Sequence, residues 1–254
     1  MRMFSWRFYR VWQRNRDVFF RLWHFEMPIS FVEPVLILLA FGLGLGAFMG
    51  TINGEQYINF IAPGLVAAYA MFSASNECSY SAFLRMEHQH TYDAILATPV
   101  NVEDITAGEI FWGATRAMLS ASIVLLVSGA FRLVGSPWAV LILPVAFLEG
   151  VVIASISLFY TSVVPSIYAF NFFFTLIINP LFLLSGIFFP LDSFPRGLQD
   201  ASWFTPLRPS VEIVRGLFKG EMPEQLGLAV GVMAAYIIVF FALTLVTMRR
   251  RLTK

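Results

Sequence analysis

The residues of this chain that could do chemistry are few and dispersed. Its only histidines are His24, His88 and His90, and its only cysteine is Cys78. His88-Gln89-His90 lacks the i, i+4 spacing that sets two metal ligands on one helical face. A single cysteine cannot close a disulfide within the chain. The G-x-S-x-G elbow that presents a nucleophilic serine is absent. A phosphate-cradling G-x-x-x-x-G-K-[ST] loop is absent too, because the only lysines, Lys219 and Lys254, have no such context. No catalytic, metal-binding or cofactor-binding residue is expected here, and ATP with its magnesium would have to be held by another chain.

The remaining chemistry is that of charges within apolar stretches, which are costly in lipid and usually face protein or water. Glu33 opens the first apolar block. Glu109 and Arg116, seven residues apart, share a face at the start of the third, and Glu149 lies near the middle of the fourth. An interhelical Glu149–Arg116 pair would either fix packing or line a substrate route. Glu77, beside Asn76, reads as a solvated acid at a helix mouth. Tyr168, Phe170, Phe172, Phe173 and Phe174 could line a path for a sugar or acyl chain, or simply pack.

The elements that position these groups follow from composition. Of 254 residues, 58% are hydrophobic and only 13% charged, against ~45–50% and ~25% in soluble domains. The apolar residues fall in blocks near the ~20 residues that a bilayer-crossing helix needs. Six such blocks occupy residues 28–50, 57–78, 110–131, 138–163, 167–190 and 226–248. The expected fold is all-α, a single polytopic domain of six transmembrane helices. A net charge of +1 gives no general attraction for nucleic acid. The first long apolar run follows an arginine-rich stretch and is too long for a cleavable signal peptide.

Residues 1–27 form an amphipathic helix by periodicity. Arg7, Arg10, Arg14, Asp17 and Arg21 share one side; Phe4, Phe8, Val11, Trp12, Phe19, Leu22 and Trp23 share the other, with Arg16 out of pattern. Such a helix suits a membrane interface, as an anchor in the lipid or also as a contact for a soluble partner. Arginines cluster before residue 22 and again at Arg249, Arg250 and Arg251, which places both termini in the cytoplasm. Residues 85–100 are then cytoplasmic and 186–224 external. The first of these mixes polar residues with Met86, Tyr92, Ile95 and Leu96 and is stopped by Pro99, so it reads as a short surface helix. The second is broken by Gly186, Pro190, Pro195, Pro206, Pro209 and Gly220 into apolar pieces too short to cross, a pattern that fits re-entrant or interfacial helices.

These segments resemble the ABC-2 type permeases. Phe60-Ile61-Ala62-Pro63-Gly64 is similar to their F-x-x-P-G opening of span two. Arg85, Glu87, Thr91, Asp93, Leu96, Thr98 and Pro99 fall where the family has its R-x-E-x-x-x-T-x-[DE]-x-[LIM]-L-x-T-P loop. Glu33-Pro34 followed by residues 39–46 looks like the first span, Leu184–Pro190 like the L-S-G-x-x-F-P close of span five, and Pro206-Leu207 with Arg215 like the outer-loop P-L…R. The likeness covers nearly the whole chain and is nearest to the nodulation-factor (lipo-chitooligosaccharide) and polysaccharide export subgroup. It implies a homodimer in the bacterial inner membrane, working with separate ABC ATPase subunits to export an amphiphile: a lipo-oligosaccharide, a lipid-linked polysaccharide or a hydrophobic drug. It further implies that Arg85–Pro99 is the coupling helix, with Arg85 reaching an acid on the motor. Phe188, Phe189, Pro190 and Arg215 would belong to an outer gate. Two other classes stay open on the residues alone: a lipid-modifying transferase using Glu87, His88, His90 and Asp93, and a transporter without a motor.

Overall fold

The computed structural model describes the backbone of residues 6–52, 54–223 and 225–253. Among the described residues it is a helical membrane protein with strand at one hairpin. Among the described residues, five helices are long and apolar enough to cross a bilayer: Phe31–Met49, Tyr57–His88, Val102–Ala130, Pro137–Val163 and Leu226–Leu252. A sixth apolar helix, Ala169–Leu184, is shorter than the expected 167–190 block. It starts after extended Val164 and stops where Gly186 takes a left-handed φ of +76°. Its π turn, Phe174–Ile178, directly precedes Pro180, whose missing N–H cannot bond back into that turn.

We label the principal helices α1 (Phe8–Leu39), α2 (Tyr57–Asn76), α3 (Thr91–Leu96), α4 (Val102–Ala130), α5 (Ile142–Val163), α6 (Ala169–Leu184), α7 (Arg196–Ser202), α8 (Arg208–Lys219) and α9 (Leu226–Leu252). The expected boundary between a surface helix over 1–27 and a span from 28 is not a break in the chain. α1 runs through Pro28 and Pro34 and continues by a π turn, Ala40–Leu45, to Met49. Arg2 and Phe4 lie outside the described residues. Two π turns, Glu77–Ser81 and Leu84–His88, likewise extend α2 to His88. Thr51–Ile52 pairs antiparallel with Glu55–Gln56 across a turn holding Gly54 at φ +82°. The Asn53-Gly54 dipeptide is the sequence signal for that hairpin.

The helix from Tyr57 to His88 is the axis of the bundle. Its apolar window is 78% buried, against 17% for Phe31–Met49 and for Leu226–Leu252. The two outer helices therefore keep most of their surface for lipid. Against this axis pack α4 and α5, and their contact is made of small residues. In lipid no hydrophobic gain separates helix–helix from helix–lipid contact, so close backbone approach and hydrogen bonds must do the work. A Cβ on Gly150 would sit 2.6 Å from the Ala114 Cα and 2.7 Å from the Ala117 Cβ. Thr161 Oγ1 donates to the Cys78 carbonyl at 2.8 Å, and Thr244 Oγ1 to the Ser155 carbonyl at 2.9 Å.

Both termini lie at one end of the bundle. Arg7 donates to the Pro99 carbonyl, Arg251 meets Glu87 at 2.9 Å, and Arg249 meets Glu103 at 3.9 Å. Chain 170–188 runs from this end, where the Phe170 ring lies 5.0 Å from Tyr80, to the other, where the Phe188 carbonyl accepts from the Tyr57 hydroxyl at 3.2 Å. The helix contact at Gly150 gives the first expected outcome. Gly150→Val should destabilise the detergent-solubilised protein by ~1–3 kcal/mol or more through overpacking. Gly231→Ala, where a Cβ meets nothing within 4 Å, should leave the thermal midpoint unchanged.

Candidate functional site

The densest polar arrangement sits at the end that carries the termini. Its first wall is the N-terminal half of α1. Val11, Asn15 and Phe19, spaced by four, are all buried. They pack on α4: a Cβ on Gly108 would lie 2.6 Å from the Val11 Cβ, and Phe19 meets Trp112 edge-on at 5.8 Å. Trp12 Nε1 donates to Thr115 Oγ1 at 2.9 Å. Much of the apolar face read as interfacial is thus covered by protein, while Leu22 and Trp23 remain exposed. Arg7, Arg10 and Arg21 are exposed as expected. Arg14 is half-buried; burial pulls its guanidinium below the usual arginine range, against the opposing pull of Glu109.

At the centre lies Arg85. Its two terminal nitrogens reach Glu77 Oε1 at 2.8 Å and Glu109 Oε2 at 2.7 Å. Asn15 Nδ2 donates to the other Glu109 oxygen at 3.1 Å, and Arg116 Nε stands 3.5 Å from Glu77 Oε2. Arg116 also lies over the Phe19 ring, 4.5 Å from its centroid. Glu109 is fully buried. A buried carboxylate persists only with charge and hydrogen-bond partners, and here α1 supplies Asn15 and the α2 extension Arg85 to Glu109 of α4. Three expectations change as a result. Arg85 is engaged inside its own chain rather than with an acid on a partner. Glu77 is an ion-pair partner rather than a solvated acid. Arg116 pairs with Glu77, not with Glu149.

His90, left-handed at φ +49°, turns the chain from the second π turn into α3. Tyr92 points inward and is buried with Phe83, Met86, Val102, Ile105 and Phe170, and half-buried Ile95 and Leu96 pack against that cluster. Burial pushes the Tyr92 phenol well up, and Glu109 pushes the same way. Thr91 receives a long 3.5 Å contact from Arg14, and Glu87 holds Arg251, which also donates at 2.7 Å to the Thr161 and Val164 carbonyls. The outer side of this short helix and the turn after it are exposed at Asp93, Ala94, Ala97, Thr98 and Pro99, and the Asp93 carboxylate meets His90 at 3.1 Å.

The other expected positions are not part of this cluster. Glu33 is exposed on α1 beside Tyr69. Glu149 is fully buried in α5; Ser210 faces it, with no hydrogen bond of ordinary geometry to either oxygen. Phe173 is buried and stacked on Tyr160 at 4.7 Å, so it is packing and not lining, while Tyr168 and Phe172 are exposed. At the opposite end, Phe188 is buried against Phe41 and Phe182, and Phe189 is exposed. Arg215 ties the turn before Pro190 to the bundle by donating to the Gly186 carbonyl at 2.7 Å. Residues 186–224 do contain short helices, α7 and α8, and the start of α8 turns back into the bundle, with Ser210 against Met233 of α9.

The buried ion cluster gives a second expected outcome. Arg85→Ala, which strands Glu109, should cost ~3–5 kcal/mol of stability. Asp17→Asn, which removes the exposed Arg16–Asp17 contact at 2.7 Å, should cost less than ~1 kcal/mol. Arg85→Met combined with Glu77→Gln and Glu109→Gln should recover at least half of the loss. Unfolding in detergent micelles measures all three.

Comparison with known proteins matches this arrangement to one family. Residues 7–219 match the ABC-2 type transporter family. Nodulation protein J of Rhizobium meliloti (strain 1021) is 34% identical over 250 residues, covering 98% of this chain and 95% of that protein. Nodulation protein J of Rhizobium leguminosarum bv. trifolii is 36% identical over 246 residues, covering 96% and 93%. The inner membrane transport permease YadH of Escherichia coli (strain K12) is 25% identical over 242 residues, covering 91% and 90%. The match covers most of this multi-pass helical chain, and the chain belongs to the ABC-2 type transporter family, whose members are membrane subunits of transporters.

Proposed function

We propose that this chain is the permease half of an exporter, in which α3 seats on a separate ABC ATPase and passes its movement into the bundle. One observation carries the proposal: α3 has an inner face locked into the membrane helices and an exposed outer face, Asp93, Ala94, Ala97 and Thr98, whose side-chain partners among the described residues, His90 and the Ile95 carbonyl, lie in the same segment. The ATPase closes on nucleotide, the helix is displaced with it, and two permease copies rock as rigid bodies between inward and outward openings. Family membership makes a lipid-modifying transferase or a motor-free transporter the poorer reading.

The topology has six crossings on this reading. Both termini share an end, so the number of crossings is even; five helices are long enough, and chain 170–188 joins one end to the other. Arginine density puts the shared end in the cytoplasm. The substrate class is amphiphilic, and resemblance to the nodulation-factor export subgroup favours a lipo-oligosaccharide over a drug. The transporter sits in the inner membrane as a homodimer.

Two measurements test this reading. Single cysteines replacing Thr98 and Asp192, in a Cys78→Ala background, should label with an impermeant maleimide from the cytoplasmic and the external side respectively; the reverse pattern sinks the orientation. Asp93→Lys, on the exposed face, should leave the complex folded while cutting transport and substrate-stimulated ATP hydrolysis by the partner at least tenfold. Unchanged stimulation would rule out coupling through α3.

A further inference from the structure

α8 carries a charged stripe, Arg208, Glu212, Arg215 and Lys219, at i, i+4, i+7 and i+11, which is one helical face. That face is only partly open to water, with Lys219 exposed. It is the shared wall of two adjoining clefts of about 400 and 220 Å3 at the end opposite the termini. Trp203, Gln225 and Ala229 also line the larger, and Ile52, Glu55, Asn59 and Phe60 the smaller.

Most of the stripe is matched internally. Arg208 approaches Glu212 at 3.7 Å, and Lys219 meets Glu55 at 2.8 Å. Arg215 is different. It lines both clefts, yet among the described residues no carboxylate comes within ion-pair distance of it. Its guanidinium lies 4.1 Å from the centroid of the Phe60 ring, one terminal nitrogen donates to Gly186, and Nε is buried without a hydrogen-bond partner. Burial pulls its pKa below the usual arginine value, with Glu212 and Glu55 of the same cleft opposing, but arginine stays protonated at neutral pH. The two other acids of the clefts, Asp192 and Glu221, are exposed. A cation withdrawn from water with donor capacity left over calls for an anion, and the guanidinium fork fits tetrahedral or planar oxyanions.

We propose that the two clefts form one anion-binding site centred on Arg215, which takes the phosphate, sulfate or carboxylate of an amphiphile leaving the bilayer or of a phospholipid headgroup. The inference rests on the exporter reading only for which face is external. Its test is a binding measurement on the permease alone, so its failure and a failure of coupling are separable.

The full-length permease is titrated in detergent with inorganic phosphate and with sulfate, against chloride at constant ionic strength. Thermal unfolding is the readout, and native mass spectrometry follows retained phosphatidylglycerol against phosphatidylcholine. Either oxyanion should raise the wild-type midpoint saturably in the millimolar range; Arg215→Gln should weaken binding at least tenfold, and Arg215→Lys less. Asp192→Asn, an exposed change that cannot threaten folding, should tighten it at least twofold by removing a nearby negative charge. Retained phosphatidylglycerol that phosphate displaces assigns the site to a lipid headgroup. Oxyanion binding without retained lipid assigns it to the cargo's own anionic group. No saturable shift in the wild type, an equal shift in Arg215→Gln, or an unchanged affinity in Asp192→Asn overturns the proposal.

Discussion

The structure depends on a charge that is taken out of water and matched by two acids. Arg85 holds Glu77 and Glu109 at once, and Glu109, fully buried, has no other cation at such a distance among the described residues. Removing either partner would strand a charge in low dielectric, a far larger cost than any exposed pair returns. The geometry needs an uncommon backbone. Residues eight apart on a regular α-helix sit about 80° around the axis from each other. The π turns Glu77–Ser81 and Leu84–His88 lie between and around Glu77 and Arg85, and alter that register so that the two side chains meet.

The same cluster gives the lever proposed for α3 its footing. A surface helix tied only by exposed ion pairs would slide under load, since such pairs contribute ~0–1 kcal/mol. Here the helix is anchored from below by Tyr92 in an aromatic and aliphatic cluster, and its chain leads directly into Arg85. Asn15 of α1 completes the coordination of Glu109. A push on α3 therefore reaches α1, the α2 extension and α4 together. Arg251 adds the C-terminal helix through Glu87 and two backbone carbonyls.

What the sequence shows of this is uneven, for physical reasons. Hydropathy fixes which segments leave water, so the membrane class and five of the blocks are legible. The shorter α6 depended on Gly186 adopting a left-handed turn, which glycine permits but does not announce. The amphipathic period of the N-terminal segment was readable; whether lipid or protein covers its apolar face was not, because Gly108 and Trp112 lie in a distant part of the chain. Partner choice was the least legible. Glu77, Glu109 and Arg116 were visible as intramembrane charges, but which cation meets which acid is decided by helix rotation over a few ångströms. Asn15 carried no signal at all beyond its four-residue spacing from Val11 and Phe19.

The helix that holds Arg85 also reaches the opposite end of the molecule. Tyr57–His88 is 32 residues long, or ~48 Å at 1.5 Å per residue. Near its start, Tyr57 holds the Phe188 carbonyl and Phe60 underlies Arg215. Near its finish are Glu77 and Arg85. It is also the most buried of the long apolar helices, so it cannot bend without disturbing its neighbours on every side. On the coupling proposed for α3, a displacement there would travel along one packed element to the turn and clefts beneath Arg215. The two ends differ: at the end that carries Arg85 the charges are paired within the chain, while at the far end Arg215 is held by one carbonyl and one aromatic face, which leaves its fork for the proposed anion.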